Sequence, residues 1–503
     1  MADFEDEEVP RVKKYERGDK LKDTSRIWDR KLRGHLIRSE AKRERAAERS
    51  AKLETFLEDE PGFLEPEGLE RTHKFSQKAI VESVDATTAR KHFELKLDKL
   101  GPYKMSYTRN GRHLLIGGKK GHVATMDWME KRLGAEFQVQ ETVKDVKYLH
   151  NETMFAVAQK KYVHIYDNTG VELHCLRRQR HVHMLDFLPY HFLLVTASED
   201  GWLRYQDTST GTLVVQYKTK KGRSDSMVHN PYNAITLLGQ HNGVVSMWSP
   251  NSGAPLVKML CHRGPVKSIA VDKEGRYLAS SGLDGSMKVW DVRTYKLLYQ
   301  YQRQRPAQCL HFSQRGLLAA GNGHDVNVWK DVYREKQKMP YMSHHLTHSA
   351  VEQFEFCPFE DVLGVGHGLG FVSLLIPGAG EPNYDALELN PHQTKKQRQE
   401  AEVKGLLEKI QPDLISLDPF QIVKVNKKGA KDEEVEEKED RFHPRYRKKG
   451  RSGTRKVYER KQGMILESKR KKRQEEVRER QKESRKQTIE KRRVIASALD
   501  RFT

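Results

Sequence analysis

Between about residues 93 and 390 the chain alternates short apolar runs with polar turns, and the alternation repeats roughly every forty residues. One stretch displays the whole unit. Val266-Lys267-Ser268-Ile269-Ala270-Val271 is followed by a turn, then Tyr277-Leu278-Ala279-Ser280, the Asp284-Gly285 turn, and Met287 to Trp290. Each run is short, β-branched or apolar, and bounded by turn residues, as strands are. The ends of the third runs align along the chain: Asp284 to Asp291, Asp200 to Asp207, Asn242 to Ser249, His324 to Trp329, and more weakly Gly121 to Asp127, Tyr162 to Asp167 and Gly370 to Leu375. Taken at the Trp place, the marks are Met126, Tyr166, Gln206, Trp248, Trp290, Trp329 and Leu375, at steps of 40, 40, 42, 42, 39 and 46 residues.

A period near forty with a turn, a short strand and a Trp-Asp ending predicts an all-β core, a seven-bladed WD-repeat β-propeller. A closed propeller leaves no sheet edge open and presents surfaces rather than one reactive cleft, which favours binding or assembly over catalysis. His92-Phe93-Glu94-Leu95-Lys96-Leu97 alternates as a strand should and is expected to supply an outer strand that closes the ring.

The flanks follow a different pattern. Residues 1–20 form an acidic tip, expected to be disordered, and 21–91 a helical extension in which Ile27, Leu32, Leu36 and Ile37 recur at helical spacing. The propeller is placed at 92–390. Residues 391–440 are a helix from Lys395 to Ile410 plus an acidic linker containing Asp432, Glu433, Glu434, Glu436, Glu437, Glu439 and Asp440. Residues 441–503 are a basic, partly helical tail that ends in the apolar cluster Val494 to Leu499.

Charge sharpens this division. The chain carries a net +21. The tail holds 24 Lys and Arg against 8 Asp and Glu, a net of +16, which leaves +5 for everything else. Such asymmetry points to a polyanion, most simply RNA, as the partner of the tail. Arg445, Tyr446, Arg447, Lys448, Lys449, Arg451, Arg455, Lys469, Arg470, Lys471, Lys472 and Arg473 are the candidate RNA-binding residues; the tyrosine adds a ring that stacks on unpaired bases. The bland alternative for the tail is a nuclear-import signal alone. No membrane association is expected, since no lipidation signal or apolar span accompanies the basic residues. Cys175, Cys261, Cys309 and Cys357 are far apart and read as buried thiols of a reducing compartment.

No catalytic site, cofactor or metal is expected. Gly117-Gly118-Lys119-Lys120-Gly121 lacks the spacing of a phosphate loop and falls at a predicted β-turn. His344, His345, His348 and Cys357 are the best metal candidates, but they lead into a predicted strand from Val351 to Phe356 and are read as structural; His181 and His183 are read likewise. His262, Ser280, Asp284 and Trp290 resemble the hydrogen-bonded tetrad that ties blades together in WD-repeat proteins, complete in this one repeat.

A longer signature lies past the sixth mark. His344-His345-Leu346-Thr347-His348, Phe354 to Asp361, Gly364-Val365-Gly366-His367-Gly368, Ser373 to Asp385, Asn390-Pro391, Lys395 to Glu400 and Val403 to Ile415 resemble the C-terminal domain of one nucleolar WD-repeat family, U three protein seven, or WD-repeat protein forty-six in animals. The resemblance implies a scaffold subunit of the small-subunit processome, the U-three small nucleolar ribonucleoprotein that matures 18S rRNA in the nucleolus. It implies precursor rRNA, U-three RNA and other processome proteins, including WD-repeat subunits, as partners, and no small-molecule substrate. The competing expectation is a nuclear WD-repeat adaptor or substrate receptor whose tail serves only import.

Overall fold

The computed structural model of this chain describes Tyr15, residues 27–54, residues 62–419 apart from 69, 303, 348 and 387, and residues 461–463 and 467–486. The chain divides into two compact units, residues 58–424 and residues 1–57 with 425–503.

The larger unit is a seven-bladed propeller. Its blades are seven four-stranded antiparallel sheets. In chain order they comprise residues 103–138, 145–180, 182–218, 224–260, 266–302, 309–345 and 351–375. The first strands of neighbouring blades pack on one another all the way round, including the first blade on the seventh. The seventh blade takes its outer strand from Phe93–Lys96, which pairs antiparallel with Gly370–Leu375. Early chain thus closes late chain, and Phe93 packs on Phe371 at a centroid distance of 5.6 Å. Gly370 makes the closure possible. Its φ is +147°, and a Cβ there would sit 1.9 Å from the Leu95 carbonyl oxygen.

The core lies between blades, as the alternation requires. Fully buried Val195, Leu203, Tyr205, Val245 and Leu278 belong to one interblade cluster, and Leu114, Val365, Phe371 and Leu374 to another. The seventh mark shifts by one residue. The ladder sets Val271 opposite Leu278 and Leu278 opposite Trp290; in the last blade Phe356 is opposite Leu363 and Leu363 opposite Leu374. Leu374, not Leu375, takes the Trp place, because the last blade's Gly368-Leu369 turn is shorter than the Asp284-Gly285 turn that set the alignment.

The segment before the ring clamps its seam. Two short helices, Gln77–Ser83 and Ala86–Ala89, occupy the stretch from Phe75 to Ala89. Ser76 caps the first by accepting from the Ala79 N–H. Buried Gln77 uses its amide as a strand would, donating to the Leu375 carbonyl at 3.0 Å and accepting from the Leu375 N–H at 3.0 Å. In the other unit, Arg30–Glu54 is one helix whose buried positions are Ala47 and Ala51, whereas Leu32 and Ile37 of the expected apolar stripe are about half exposed.

Candidate nucleic-acid interface

The inner strand of each blade has one edge facing the central channel, about 740 Å³ in volume. Edge N–H groups in such a place need acceptors. The chain supplies them from the preceding blade. Asp145 accepts from the Leu185 N–H at 2.7 Å, Asp186 from the His229 N–H at 2.9 Å, and Ser268 from the Leu310 N–H at 2.9 Å. The His311 ring accepts from the Phe356 N–H at 3.3 Å, and Glu355 from the Tyr107 N–H at 3.3 Å across the closure. Lys147 stands between Glu355 (3.7 Å) and Asp186 (3.9 Å). Burial pulls the Asp186 carboxyl up, but His229, Lys147 and the Phe187 N–H hold it at about 2. None of these residues stood among the sequence candidates. A partial signal was there: Asp186 is an isolated acid inside the apolar run Met184 to Leu188, and Asp145 stands 41 residues before it.

Burial pushes His191 and His311 down to about 4. Both lie below the ordinary histidine value near 6.5, so the unfolded chain takes up the proton first. Stability is therefore full above about pH 6.5 and is lost as pH falls towards 4, by on the order of 2 kcal/mol per group at pH 5. Glu355, whose carboxyl burial pushes up, works in the opposite sense and reduces the net effect. The melting temperature is expected to fall between pH 7 and pH 5, and His191→Gln to flatten part of that fall. A melting temperature constant over this range in the native chain would contradict the assignment.

In blade five the four polar side chains meet. His262 Nε2 lies 2.8 Å from Ser280 Oγ, Trp290 Nε1 donates to Ser280 Oγ at 3.0 Å, and His262 Nδ1 is 3.2 Å from Asp284 Oδ1. Burial lowers the His262 pKa against the pull of Asp284. Other blades substitute simpler pairs. Gln159 donates to the Tyr166 hydroxyl at 2.6 Å, and Ser246 accepts from both Gln240 and Trp248 at 3.0 Å.

The histidine-rich segment does not converge. His344 and His345 are successive residues of Met342–His345 and so point to opposite faces. His345 Nδ1 is 2.6 Å from Asp325, and Cys357 donates to the Gly111 carbonyl at 3.1 Å; His348 lies outside the described residues. His183 is buried, with Nε2 2.7 Å from the Ser224 carbonyl, while His181 is exposed. Among the described residues, His164, Glu172 and Cys175 form one further group. Its shortest contacts engage opposite ring nitrogens, Nδ1 with Glu172 at 3.3 Å and Nε2 with Cys175 at 3.9 Å. That arrangement suits a hydrogen-bonded bridge better than one ion.

The segment after the ring is a strap. Its helix Lys395–Leu407 starts with a capping box between Thr394 and Gln397. Arg109 meets Glu388, Glu152 meets Arg398, Lys409 meets Asp207, and Asn251 donates to the Asp413 carbonyl. The strap thus runs over the rim of blades one to four on the side where first strands join second strands and third strands join fourth. Ile415 anchors its end, buried in the cluster of Ile235 and Trp248, and its carbonyl accepts from Ser249 at 2.7 Å. Ile415→Ala is expected to loosen this anchor by about 2–5 kcal/mol. Limited trypsin digestion should then cut at Lys404 and Lys409 at least ~10-fold faster, since cleavage follows local opening. Equal rates for both proteins would contradict an anchoring role.

Of the candidate RNA-binding residues, Lys469, Arg470, Lys471, Lys472 and Arg473 lie on a helix at 467–486, all exposed. Arg445, Tyr446, Arg447, Lys448, Lys449, Arg451 and Arg455 lie outside the described residues, as do the acids Asp3 to Glu8 of the tip, Asp432 to Asp440 of the linker and Val494 to Leu499. Among the described residues no helix is long and apolar enough to cross a membrane.

Two domain descriptions match the chain: the WD domain, G-beta repeat, at residues 253–291, and the BING4CT (NUC141) domain at residues 340–418. The second spans the sixth blade's outer strand, the seventh blade and the strap. WD repeat-containing protein 46 of Homo sapiens is 47% identical over 486 residues, covering 94% of this chain and 79% of its own length. The chain belongs to the WD repeat-containing protein 46 family. U3 small nucleolar RNA-associated protein 7 of Saccharomyces cerevisiae is 48% identical over 419 residues, covering 80% of this chain and 76% of its own. A Caenorhabditis elegans family member is 48% identical over 397 residues, 78% of this chain and 68% of its own.

Proposed function

We propose that this family member is a non-enzymatic scaffold subunit of the small-subunit processome, needed for precursor rRNA processing and 18S rRNA maturation in the nucleolus. The observation that carries the reading is the likeness, over 80% of the chain, to a protein named for association with U3 small nucleolar RNA. The physical features agree. A rigid ring offers faces to other processome proteins, and strongly basic extensions offer charge to RNA phosphates. The candidate tail residues would meet precursor rRNA or the U3 RNA through phosphate contacts, with Tyr446 stacking on an unpaired base. The propeller interior supports a positioning role, since its buried acids and histidines are engaged in holding blades together.

The test compares the tagged full chain with one lacking residues 441–503, each carrying a heterologous nuclear-import signal. U3 RNA recovered with the shortened chain is expected to fall several-fold while the propeller stays folded. Undiminished recovery would leave the tail as an import signal and put a nuclear WD-repeat adaptor ahead.

A further inference from the structure

Three lysine pairs fall in connections on one side of the ring: Lys119-Lys120, Lys160-Lys161 and Lys220-Lys221. All six side chains are exposed. The first two pairs occupy the turns between second and third strands of blades one and two; the third lies in the link from blade three to blade four. Backbone hydrogen bonds show that these segments form one continuous rim. Val143 N–H donates to the Lys119 carbonyl at 3.2 Å, and Lys144 N–H to Ala158 at 2.7 Å. His181 N–H donates to Lys161, Glu199 N–H to His181, and Thr219 N–H to Gly201, each at 2.9 Å. The rim runs unbroken from the first pair to the third.

Among the described residues none of the six ammonium groups has a carboxylate partner. Lys120 donates to the Lys99 carbonyl at 2.9 Å and Lys161 sits 5.2 Å from the centre of the Tyr162 ring. The central acid of the arc is already taken, Glu199 being 3.0 Å from Lys144 and 4.0 Å from Arg223. Exposed Glu141 and Asp200 leave the arc strongly positive. Beside the rim, half-buried Trp202 has exposed Lys218 at 5.8 Å from its ring, while Arg204, 5.5 Å from the same ring, is buried and donates to Ser198. Cations interleaved with aromatic rings are what a single strand of nucleic acid meets on its binding proteins. The opposite rim of the same blades is occupied by the chain's own strap.

We infer that this lysine rim is a second RNA-binding surface, which takes the phosphate backbone of a single strand across blades one to four, with Tyr162 and Trp202 as flanking stacking positions. It shares with the proposed function only the expectation of an RNA partner; the site and its residues are separate from the tail.

The test uses the full chain and a fluorescein-labelled oligouridylate, followed by anisotropy across a salt series. Five proteins are compared: native; two rim variants, with all six lysines changed to Glu or to Gln; a tail variant with Lys469, Lys471, Lys472, Arg470 and Arg473 changed to Gln; and a control with Lys296, Lys336 and Lys338 changed to Glu. The control residues are exposed and lie towards the strap-side rim. Each phosphate that is no longer neutralised should flatten the salt slope by about 0.7, so the rim variant should show a slope shallower by roughly 3 to 4. Its affinity at moderate salt should fall at least ~10-fold, with an unchanged melting temperature, and the control should match the native protein. Native-like binding by the rim variant overturns the inference, as does an equal loss in the control. If the tail variant binds normally while the rim variant does not, the rim stands and the tail reading fails. If the rim variant keeps RNA but loses a synthetic peptide of residues 432–440 that the native protein binds, the rim serves the chain's own acidic linker, and the inference is again overturned. A six-lysine change to Gln guards against unfolding by charge reversal. Crosslinking with 4-thiouridine RNA should mark Tyr162 or Trp202 in the native protein; crosslinks confined to other blades contradict the placement.

Discussion

Asp186→Ala is expected to cost about 3–5 kcal/mol, because it removes one partner from a buried charge network and leaves the others behind. In this propeller Asp186 accepts from the Phe187 N–H at 2.9 Å and the His229 N–H at 2.9 Å, lies 2.6 Å from the His229 ring, and faces Lys147. The substitution would orphan an edge N–H of blade four and weaken the hold on a partly buried ammonium at once. For a domain of this size the loss should lower the melting temperature by roughly 4–8 °C. Lys147→Met alone leaves Glu355 and Asp186 less compensated and should also destabilise. The double variant should cost less than the sum, since the second change removes a charge the first has left stranded. A loss below about 1 kcal/mol for Asp186→Ala, or strict additivity, would mean the channel charges do not join the blades.

Neutralising the eleven charged candidates of the tail, from Arg445 to Arg473, by Gln is expected to weaken binding of the full chain to precursor rRNA about 100-fold at physiological salt. With about six phosphates engaged, the dependence of log K on log salt should flatten by roughly 4 units. Tyr446→Ala should remove a further ~1–3 kcal/mol if the ring stacks on a base, with little change in salt slope, because stacking releases no counterion. Filter binding or anisotropy over a salt series separates the two effects. A neutral tail that leaves both affinity and slope intact would remove RNA from the account of that segment.

The propeller could be read from the sequence because each blade repeats the same solution. Alternation sets the faces, and a Gly-containing turn sets the spacing, as at Asp284-Gly285. Where the local pattern strayed, as at Met126 and Gln206, neighbouring repeats still fixed the strand. The one-residue displacement at Leu374 arose from a turn length, which period counting averages away. The ring's closure was legible in Phe93 to Lys96, because an alternating strand with no hairpin partner must pair elsewhere. The channel acids were not legible as a network. Asp186 looks like an ordinary interruption of an apolar run, and Asp145 like one more charge in a mixed strand, until the ring brings each to the next blade's free N–H. The strap was recognisable as a helix with a following Pro, but its course over blades one to four depends on packing such as that of Ile415 on Trp248, which no local pattern encodes. The lysine pairs were visible, yet only the fold gathers Lys119, Lys161 and Lys220 on one rim. For the tail the candidate residues rested on charge alone, and for Lys469 to Arg473 the helix adds only that they are exposed.

The central claim is that this chain meets ribosomal RNA precursors. Its most direct test is crosslinking of the full chain to RNA in living cells, followed by sequencing of the attached fragments and mapping of the crosslinked residues. The account predicts enrichment of small-subunit precursor rRNA or U3 RNA, with crosslinks in residues 441–503 and on the lysine rim. Mostly messenger RNA, or no RNA above background, would contradict it.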